Sequence, residues 1–218
     1  TLADARAVVA RYRLDLPDRV THALSDAANE TPKPGDRIFE RSSYRIVARP
    51  ADSLHAAAER ASAAGYETVM LGDRLQGEAR TVAAEHAQLA RALSLEGRRA
   101  VVLSGGELTV TLRGKGRGGP NQEYALALAI HLDGADGIAA LAADTDGTDG
   151  GGGRADDPAG AFVDATALAR ARAAGLDPAA FLADNDSTGF FNAIGDLFTT
   201  GPTFTNVTDF RAIVVDGQ

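Results

Sequence analysis

Three cationic side chains stand in a glycine-rich segment that leads into a predicted helix. Residues Arg113–Glu123 read Arg-Gly-Lys-Gly-Arg-Gly-Gly-Pro-Asn-Gln-Glu, so that Lys115 and Arg117 alternate with glycines. Pro120 suits the first helical position, where its missing N–H needs no partner. Helix-start N–H groups together with two cations favour binding of a phosphate or a carboxylate. The spacing is neither that of a Walker A loop nor that of a dinucleotide fingerprint, and a solvated hairpin is the alternative.

A second loop is acidic. Asp144, Asp146 and Asp149 fall within six residues and are followed by four consecutive glycines. Carboxylates on a turn can hold Mg²⁺, which takes one or two of them together with substrate phosphates. The twelfth position counted from Asp144 is Ala155, so the bidentate glutamate of an EF-hand loop is missing. An ordinary acidic loop tip is the alternative.

Two shorter segments are also polar. Ser104-Gly-Gly-Glu107 ends a buried apolar run, and ligands of α/β folds gather at the carboxyl ends of strands. Gly105 and Gly106 would let backbone N–H groups approach an anion, and Glu107 could serve as a ligand or a base; a tight turn is the alternative. Asn206 ends a hydroxyl-rich turn. The four histidines stand singly and there is no G-x-S-x-G motif, which disfavours a metal-binding pair and a hydrolase triad.

Periodicity in the first half predicts strands that alternate with helices, an order that implies a parallel sheet with right-handed crossovers. The predicted elements are helix 2–13, a connector at 29–36, strand Tyr44–Ala48, a helix from Asp52 to Gly65, strand Glu67–Leu71, helix Gly77–Leu95 and strand Ala100–Leu103.

The second half predicts a different kind of sheet, because Glu107–Arg113 alternates apolar with polar residues as a two-sided strand does. The further elements are helix 121–132, strand Ile138–Ala143, strand 161–163, helices 165–174 and 178–183, a capped turn at 186–194, and strands at 197–200 and 211–215.

Composition narrows the class of protein. Thirty acidic against 22 basic residues give a net charge of −8, which argues against nucleic-acid binding. No apolar run reaches the roughly 18 residues of a membrane span. The absence of cysteine removes thiolate chemistry and fits a reducing cytoplasm. Thirteen of the 24 glycines fall between Ser104 and Gly153. The structure of this region is therefore expected to require backbone positions without a Cβ.

Five motifs in order resemble the glycerate 2-kinase family, formerly described as TtuD/GckA-type hydroxypyruvate reductases, whose carboxyl-terminal part is the MOFRL domain. The resemblance implies an α/β fold with α/β/α layers and a mixed sheet in a MOFRL domain at 99–218. It identifies residues 1–98 as a parallel β-α segment that ends a Rossmann-like amino-terminal kinase domain. The motifs are Ser104–Val110, Gly114–Leu126, Thr145–Gly150, Asn185–Ser187 with Phe190–Phe191, and Gly201–Val207.

Members of this family are about twice as long as this chain. Because the chain starts at Thr1 and its single methionine is Met70, we expect an amino-terminal domain of the same protein upstream. The resemblance implies ATP- and Mg²⁺-dependent phosphorylation of D-glycerate to 2-phosphoglycerate in a cleft between two domains. This chain would then supply one wall of the cleft and be inactive alone. Whether the protein forms a homodimer is left open by the sequence.

The resemblance also implies roles for the polar residues. Lys115, Arg117 and Asp146 are the candidate catalytic residues, and many members have an arginine where this chain has Pro120, so Lys115 or Arg117 is its substitute. Asp144, Asp146 and Asp149 are the candidate Mg²⁺ ligands. The candidate substrate- and nucleotide-binding residues are Ser104, Gly105, Gly106, Glu107, Gly118, Gly119, Asn121, Gln122, Glu123 and Asn206.

Two other functions remain as alternatives. One is an NAD(P)H-dependent hydroxypyruvate reductase, which the missing dinucleotide fingerprint and the lack of a well-placed histidine acid disfavour. The other is a non-catalytic anion-binding domain, which would bind its ligand without turnover.

Overall fold

A computed structural model of the chain describes residues 1–217, and the chain forms two compact units, Thr1–Val47 and Ala48–Gln218. The first unit contains the helices α1 (Leu2–Tyr12) and α2 (Asp18–Ser25) and two short 3₁₀ turns. Thr1 and Asp4 form a capping box at α1, as expected. The strand predicted at Tyr44–Ala48 is wrong: the segment forms no regular element, and Tyr44 and Val47 lie exposed without a neighbouring strand.

The second unit is built around one six-stranded mixed sheet in the order β1-β2-β6-β3-β4-β5. Only β1 and β2 are parallel; the other neighbouring pairs are antiparallel. The last strand along the chain therefore lies in the middle of the sheet. The strands are β1 (Glu67–Leu75), β2 (Ala100–Gly106), β3 (Ile138–Asp144), β4 (Gly160–Val163), β5 (Leu197–Phe198) and β6 (Asp209–Val215).

Helices cover both faces of this sheet. On one face α3 (Pro50–Ala63) packs through Leu54 against Val101 and Leu103. Val102 points to the opposite face, because side chains alternate along a strand, and joins the larger core formed with α4 and α5. The expected layered α/β/α fold is confirmed. The remaining helices are α4 (Ala79–Leu95), α5 (Pro120–Leu132), α6 (Ala167–Ala173), α7 (Pro178–Ala183) and α8 (Ser187–Ile194).

Helix α5 is apolar along most of its length and is buried on nearly all sides, as such helices are. It begins at Pro120, which confirms the proline as a start signal. Because it packs against α4, α7, α8 and the sheet, its amino-terminal turn is held in a fixed place at one edge of the core.

The two-sided strand predicted at Glu107–Arg113 is wrong. Only Thr109 pairs there, through an isolated bridge to Glu78. The N–H of Thr111 donates to the Glu78 carboxylate and the N–H of Arg113 donates to Asn185, so side chains replace the expected neighbouring strand. With the strand at Tyr44 also absent, the parallel part of the sheet is a single β1-α4-β2 unit.

The compact unit Ala48–Gln218 spans the position at which the resemblance divides the chain, between residues 98 and 99. That division concerns the domains of a longer protein and stays a prediction. Across residues 1–217, the helices all fall short of the length and apolarity that crossing a bilayer requires.

Candidate functional site

Three strands bring polar residues to the same end of the sheet, where β2 and β3 finish and β6 begins. Ser104 and Gly105 lie at the carboxyl end of β2, and Asp144 ends β3. Strand β6 is antiparallel to both, so its first residues lie at this same end of the sheet. Asp209 lies opposite Asp144, and Arg211 lies opposite Ser104. The ends of strands are therefore where this fold concentrates its polar groups, as expected for an α/β sheet.

A buried guanidinium connects these elements. Arg211 is 1% exposed and donates to the carbonyl of Gly105 at 2.8 Å, to the Asp209 carboxylate at 2.9 Å and to the side-chain oxygen of Asn121 at 3.2 Å. The Asn121 amide in turn donates to Asp209 at 2.8 Å. One cation thus neutralises one buried carboxylate and fixes the start of α5 to β2 and β6.

Neither Arg211 nor Asp209 was among the site residues predicted from the sequence. A signal was present, because Asp209, Arg211, Ile213 and Val215 share one face of β6 and all four are buried. A charged pair two residues apart on a face that is otherwise apolar must find partners inside the protein.

The amino-terminal turn of α5 already holds an anion, the carboxylate of Asp149. This carboxylate accepts the backbone N–H of Asn121 at 3.0 Å and of Gln122 at 2.8 Å. It also accepts both side-chain amides, at 3.2 and 3.0 Å. Burial raises the pKa of Asp149 to about 6, while these four donors act to lower it. The geometry thus disagrees with the expectation that the helix start binds a ligand anion and that Asp149 ligates a metal.

The Tyr124 side chain connects this network to α4. Its hydroxyl lies 2.7 Å from the Nδ1 of His86, and the guanidinium of Arg211 lies 5.6 Å from the centre of its ring. Burial lowers the pKa of His86 from 6.5 to about 4, and the positive charge of Arg211 lowers it further in the same direction. His86 is therefore a neutral core histidine near pH 7.

The glycine-rich loop is bound along its length by the segment Asp184–Ser187. The Asn185 side chain accepts the N–H groups of Arg113 and Gly114 at 2.7 and 2.9 Å. Asp184 and Asp186 accept the N–H groups of Lys115 and Arg117 at 3.0 and 3.1 Å. The backbone donors expected to cradle a ligand are therefore used within the protein.

The glycines in this loop are required by close packing. A Cβ at Gly114 or Gly116 would overlap Asp184 or Asp186. One at Gly118 would overlap the Ser187 hydroxyl, and one at Gly119 would overlap Asp149. The candidate binding residues Gly118 and Gly119 are thus explained by the approach of one chain segment to another.

Of the remaining residues in this motif, Gln122 and Glu123 also act inside the protein. Glu123 is 2% exposed; it forms an ion pair with Arg80 at 2.6 Å and accepts from Asn185 at 2.8 Å. Gln122 accepts from the Thr188 hydroxyl at 2.7 Å. These residues stabilise the loop and α5, and they are not available to a ligand in this arrangement.

The acidic loop keeps two half-buried carboxylates near each other. The N–H of Asp146 donates to the Asp144 side chain at 3.0 Å. Burial raises the pKa of Asp144 to about 6, and repulsion from Asp146 and Asp209 adds to this effect. The side-chain amide of Asn206 lies 3.4 Å from the Asp146 carboxylate, so these two predicted residues are brought together.

A pocket of about 420 Å³ opens beside Asp146. Its other side is the segment 202–206, which is held against the acidic loop by Thr203: its N–H donates to the Asp146 carbonyl at 3.1 Å, and its hydroxyl donates to the Thr145 carbonyl at 2.5 Å. Phe204 and Thr208 have φ angles of +57° and +63°, which side chains with a Cβ rarely adopt. The residues that line this pocket are Asp146, Gly147, Thr148, Gly153, Arg154, Pro202, Phe204, Thr205 and Asn206.

The predicted cations lie elsewhere. Arg117 lines a separate pocket of about 280 Å³ together with Asp156 and Asp186, and Lys115 lines neither pocket. Both side chains are exposed. Glu107 is exposed as well, and Gly106 packs against the backbone of Leu75. The predicted cations and the predicted metal-binding aspartates therefore lie at separate places in this structure, and their roles stay predictions.

Within residues 1–217 there is no group of three or more histidine or acidic side chains arranged to hold a metal ion. Asp144 and Asp146 are therefore a pair, and any metal they hold would need further ligands from a substrate or from another part of the protein.

Comparison with known proteins finds one family profile and relatives that carry two different names. The profile of the MOFRL family matches residues 100–209. An Agrobacterium vitis protein named "Putative hydroxypyruvate reductase" is 48% identical over 221 residues, covering 99% of this chain and 49% of that protein. A Thermotoga maritima protein named D-glycerate 2-kinase is 32% identical, covering 96% of this chain and 48% of that protein. The chain spans about half the length of the curated relatives it matches.

Two solved structures share the fold along the whole chain. The crystal structure of a glycerate kinase from Thermotoga maritima superposes with a TM-score of 0.80 at 32% identity, covering 99% of this chain and 50% of that one. A Pyrococcus horikoshii protein superposes with a TM-score of 0.75 at 30% identity, covering 100% of this chain and 51% of that one.

Proposed function

The chain belongs to the MOFRL family, and from this premise we propose that it is part of a glycerate 2-kinase, an enzyme that transfers a phosphoryl group from ATP to the 2-hydroxyl of D-glycerate. The observation that carries the proposal is the similarity to the Thermotoga maritima D-glycerate 2-kinase over 96% of the chain. The shared fold, with a TM-score of 0.80, supports it. Because the chain spans about half of these relatives, the activity belongs to a longer protein in which this chain supplies one wall of a cleft.

The reaction requires positioning and neutralisation of charge more than covalent chemistry by the protein. The 2-hydroxyl oxygen of glycerate forms a bond to the γ-phosphorus, the bond between this phosphorus and ADP breaks, and the hydroxyl proton is released. The wall formed by this chain offers Asp146 and Asn206 at a pocket, Asp144 next to Asp146, and exposed cations at Lys115 and Arg117. These cations attract the anionic reactants toward the wall.

The pair Asp144 and Asp146 fits Mg²⁺. Both offer carboxylate oxygens, the donors that Mg²⁺ prefers. The raised pKa of Asp144 reflects burial and the repulsion of neighbouring acids, which a divalent cation would offset. When bound, Mg²⁺ supplies charge neutralisation for the phosphates. The amide of Asn206 holds the Asp146 carboxylate in place from the opposite segment.

The reductase alternative receives no support from the glycine-rich loop. A dinucleotide site needs backbone N–H groups free to meet a pyrophosphate, and the loop donates several of its own to Asp184, Asn185 and Asp186. The 48%-identical relative is nevertheless named as a hydroxypyruvate reductase. Reductase activity is therefore the alternative that the kinase experiment must exclude.

The test uses the chain alone and a hybrid in which the chain is joined to the portion of the Agrobacterium vitis relative that lies outside the matched region. We expect the hybrid to release ADP only when ATP, Mg²⁺ and D-glycerate are all present, and the chain alone to show no turnover. NADH oxidation by the folded hybrid with hydroxypyruvate, without glycerate-dependent ADP release, would overturn the proposal. The intact relative is the positive control for both assays.

Variants of the hybrid test the residues. Asp146→Ala is expected to lower kcat/KM about 100-fold, because it removes one of the two carboxylates that would hold the Mg²⁺ needed to neutralise the phosphates. The matched control is Asp133→Ala, which removes an exposed aspartate paired with Arg172 and should leave kcat/KM unchanged. Equal rates for the two variants would show that Asp146 has no part in the reaction.

A further inference from the structure

The pocket beside Asp146 contains an aromatic ring that residues 1–217 leave uncovered. Phe204 is 98% exposed and lines the pocket together with Pro202 and Arg154. Its backbone has a φ of +57°, a conformation that is unfavourable for any residue with a Cβ. An exposed phenyl ring on a strained backbone at the rim of a pocket indicates a contact surface for a ligand.

The chemistry of the lining selects the kind of ligand. One phenyl face can stack on a planar heterocycle. Such stacking holds any nucleobase, because every base has a flat π-face. Arg154 lies in an exposed loop. Among the residues that the structure describes, its guanidinium meets only the exposed side chain of Asp156, at 3.1 and 3.3 Å. It is therefore accessible to phosphate oxygens.

D-glycerate does not account for these features. It has no ring to cover Phe204, and it would leave most of a 420 Å³ pocket empty. Pockets of this size suit a ligand larger than a three-carbon acid.

We propose that this pocket binds the nucleotide, with the base stacked on Phe204 and the phosphates directed toward Arg154. The inference rests on the proposed function, since it assigns the nucleotide of that reaction to this chain. The Asn206 amide is engaged by the N–H of Thr208 and by Asp146, so it is not free to read the edge of the base. Binding therefore depends on stacking, and ADP and GDP should bind with similar affinity.

Isothermal titration of the chain with ADP, and separately with tripolyphosphate as a probe that lacks a base, tests the assignment. Phe204→Ala should weaken ADP binding about tenfold, whereas Phe204→Tyr, which keeps the ring, should bind ADP within about twofold of the parent chain. Arg154→Ala should weaken binding of both probes. Leu112→Ala is the matched control, because Leu112 is also an exposed apolar residue and lies outside the pocket.

The variants should keep the fold, since the Phe204 ring makes no buried contact, and an unchanged thermal unfolding midpoint checks this. Tripolyphosphate should bind the parent chain and Phe204→Ala equally. The inference is overturned if ADP binds Phe204→Ala as tightly as the parent chain, or if the parent chain binds D-glycerate but not ADP.

Failure of the pocket assignment can be distinguished from failure of the kinase proposal. A hybrid that releases ADP with D-glycerate, and whose KM for ATP is unaffected by Phe204→Ala, overturns the pocket assignment and leaves the kinase intact. ADP binding that depends on Phe204, in a folded hybrid that oxidises NADH with hydroxypyruvate and shows no glycerate-dependent ADP release, supports the assignment and overturns the kinase.

Discussion

Replacing Asp149 with alanine separates a structural role for this residue from a metal-binding one. The carboxylate accepts two backbone and two side-chain N–H groups. After the substitution the Asn121 amide keeps Asp209 as an acceptor, and the Gln122 amide keeps the backbone carbonyl of residue 149. Two backbone N–H groups at the buried start of α5 are left without an acceptor. At about 1.5 kcal/mol for each, the free energy of unfolding should fall by about 3 kcal/mol.

The assay is urea unfolding followed by circular dichroism at pH 7, with and without Mg²⁺. Asp149→Asn fills the same volume but turns an amide N–H toward the donors, so the free energy of unfolding should fall by about 2 kcal/mol. A loss of this size without a change in volume would exclude a cavity as the cause. Asp146→Ala, in the same loop but half-buried, should lose less than about 1 kcal/mol.

Two results would refute the reasoning on Asp149. One is a loss below about 1 kcal/mol for Asp149→Ala, which would mean that water or a shifted backbone satisfies the helix start. The other is a destabilisation seen only when Mg²⁺ is present, which would return Asp149 to the metal-ligand role that the sequence suggested.

Three further predictions concern stability. His86 has its pKa lowered from 6.5 to about 4, so its contribution is complete above pH 6.5 and is lost as the pH falls toward 4. Relative to His86→Gln, the parent chain should lose about 3 kcal/mol over that range in urea unfolding, and parallel pH profiles would contradict this. Arg80→Ala leaves the buried carboxylate of Glu123 without its cation and should cost about 3 kcal/mol. If that is the cause, adding Glu123→Gln should restore part of the loss. Gly119→Ala places a Cβ against a packed carboxylate and should lower the thermal unfolding midpoint, whereas Gly152→Ala, which meets open space, should not.

The parts of the fold that depend on local sequence were predictable. The apolar runs that became β2 and β3, and the proline that starts α5, carry their signals within a few residues. The position of polar residues at the carboxyl ends of these strands followed from the same runs. Asp146 and Asn206, 60 residues apart, were each predicted as site residues with different roles, and the structure places the two side chains next to each other.

The roles of several site residues were not predictable, because their partners are distant along the chain. A run of glycines signals that something approaches the backbone closely, but not whether it is a ligand or another segment. Here Gly114 and Gly116 meet Asp184 and Asp186, about 70 residues away. The alternation in Glu107–Arg113 was equally uninformative, since it describes side chains and not whether a strand lies alongside.

The central position of β6 has a consequence for synthesis of the protein. Strands β2 and β3 are joined only through Asp209–Val215, so the sheet stays in two pieces on the ribosome until these residues emerge. Until then the facing edges of β2 and β3 have unpaired N–H and C=O groups, which can pair with other nascent chains. A stop codon before Asp209 would release two unjoined half-sheets with the buried guanidinium of the site missing.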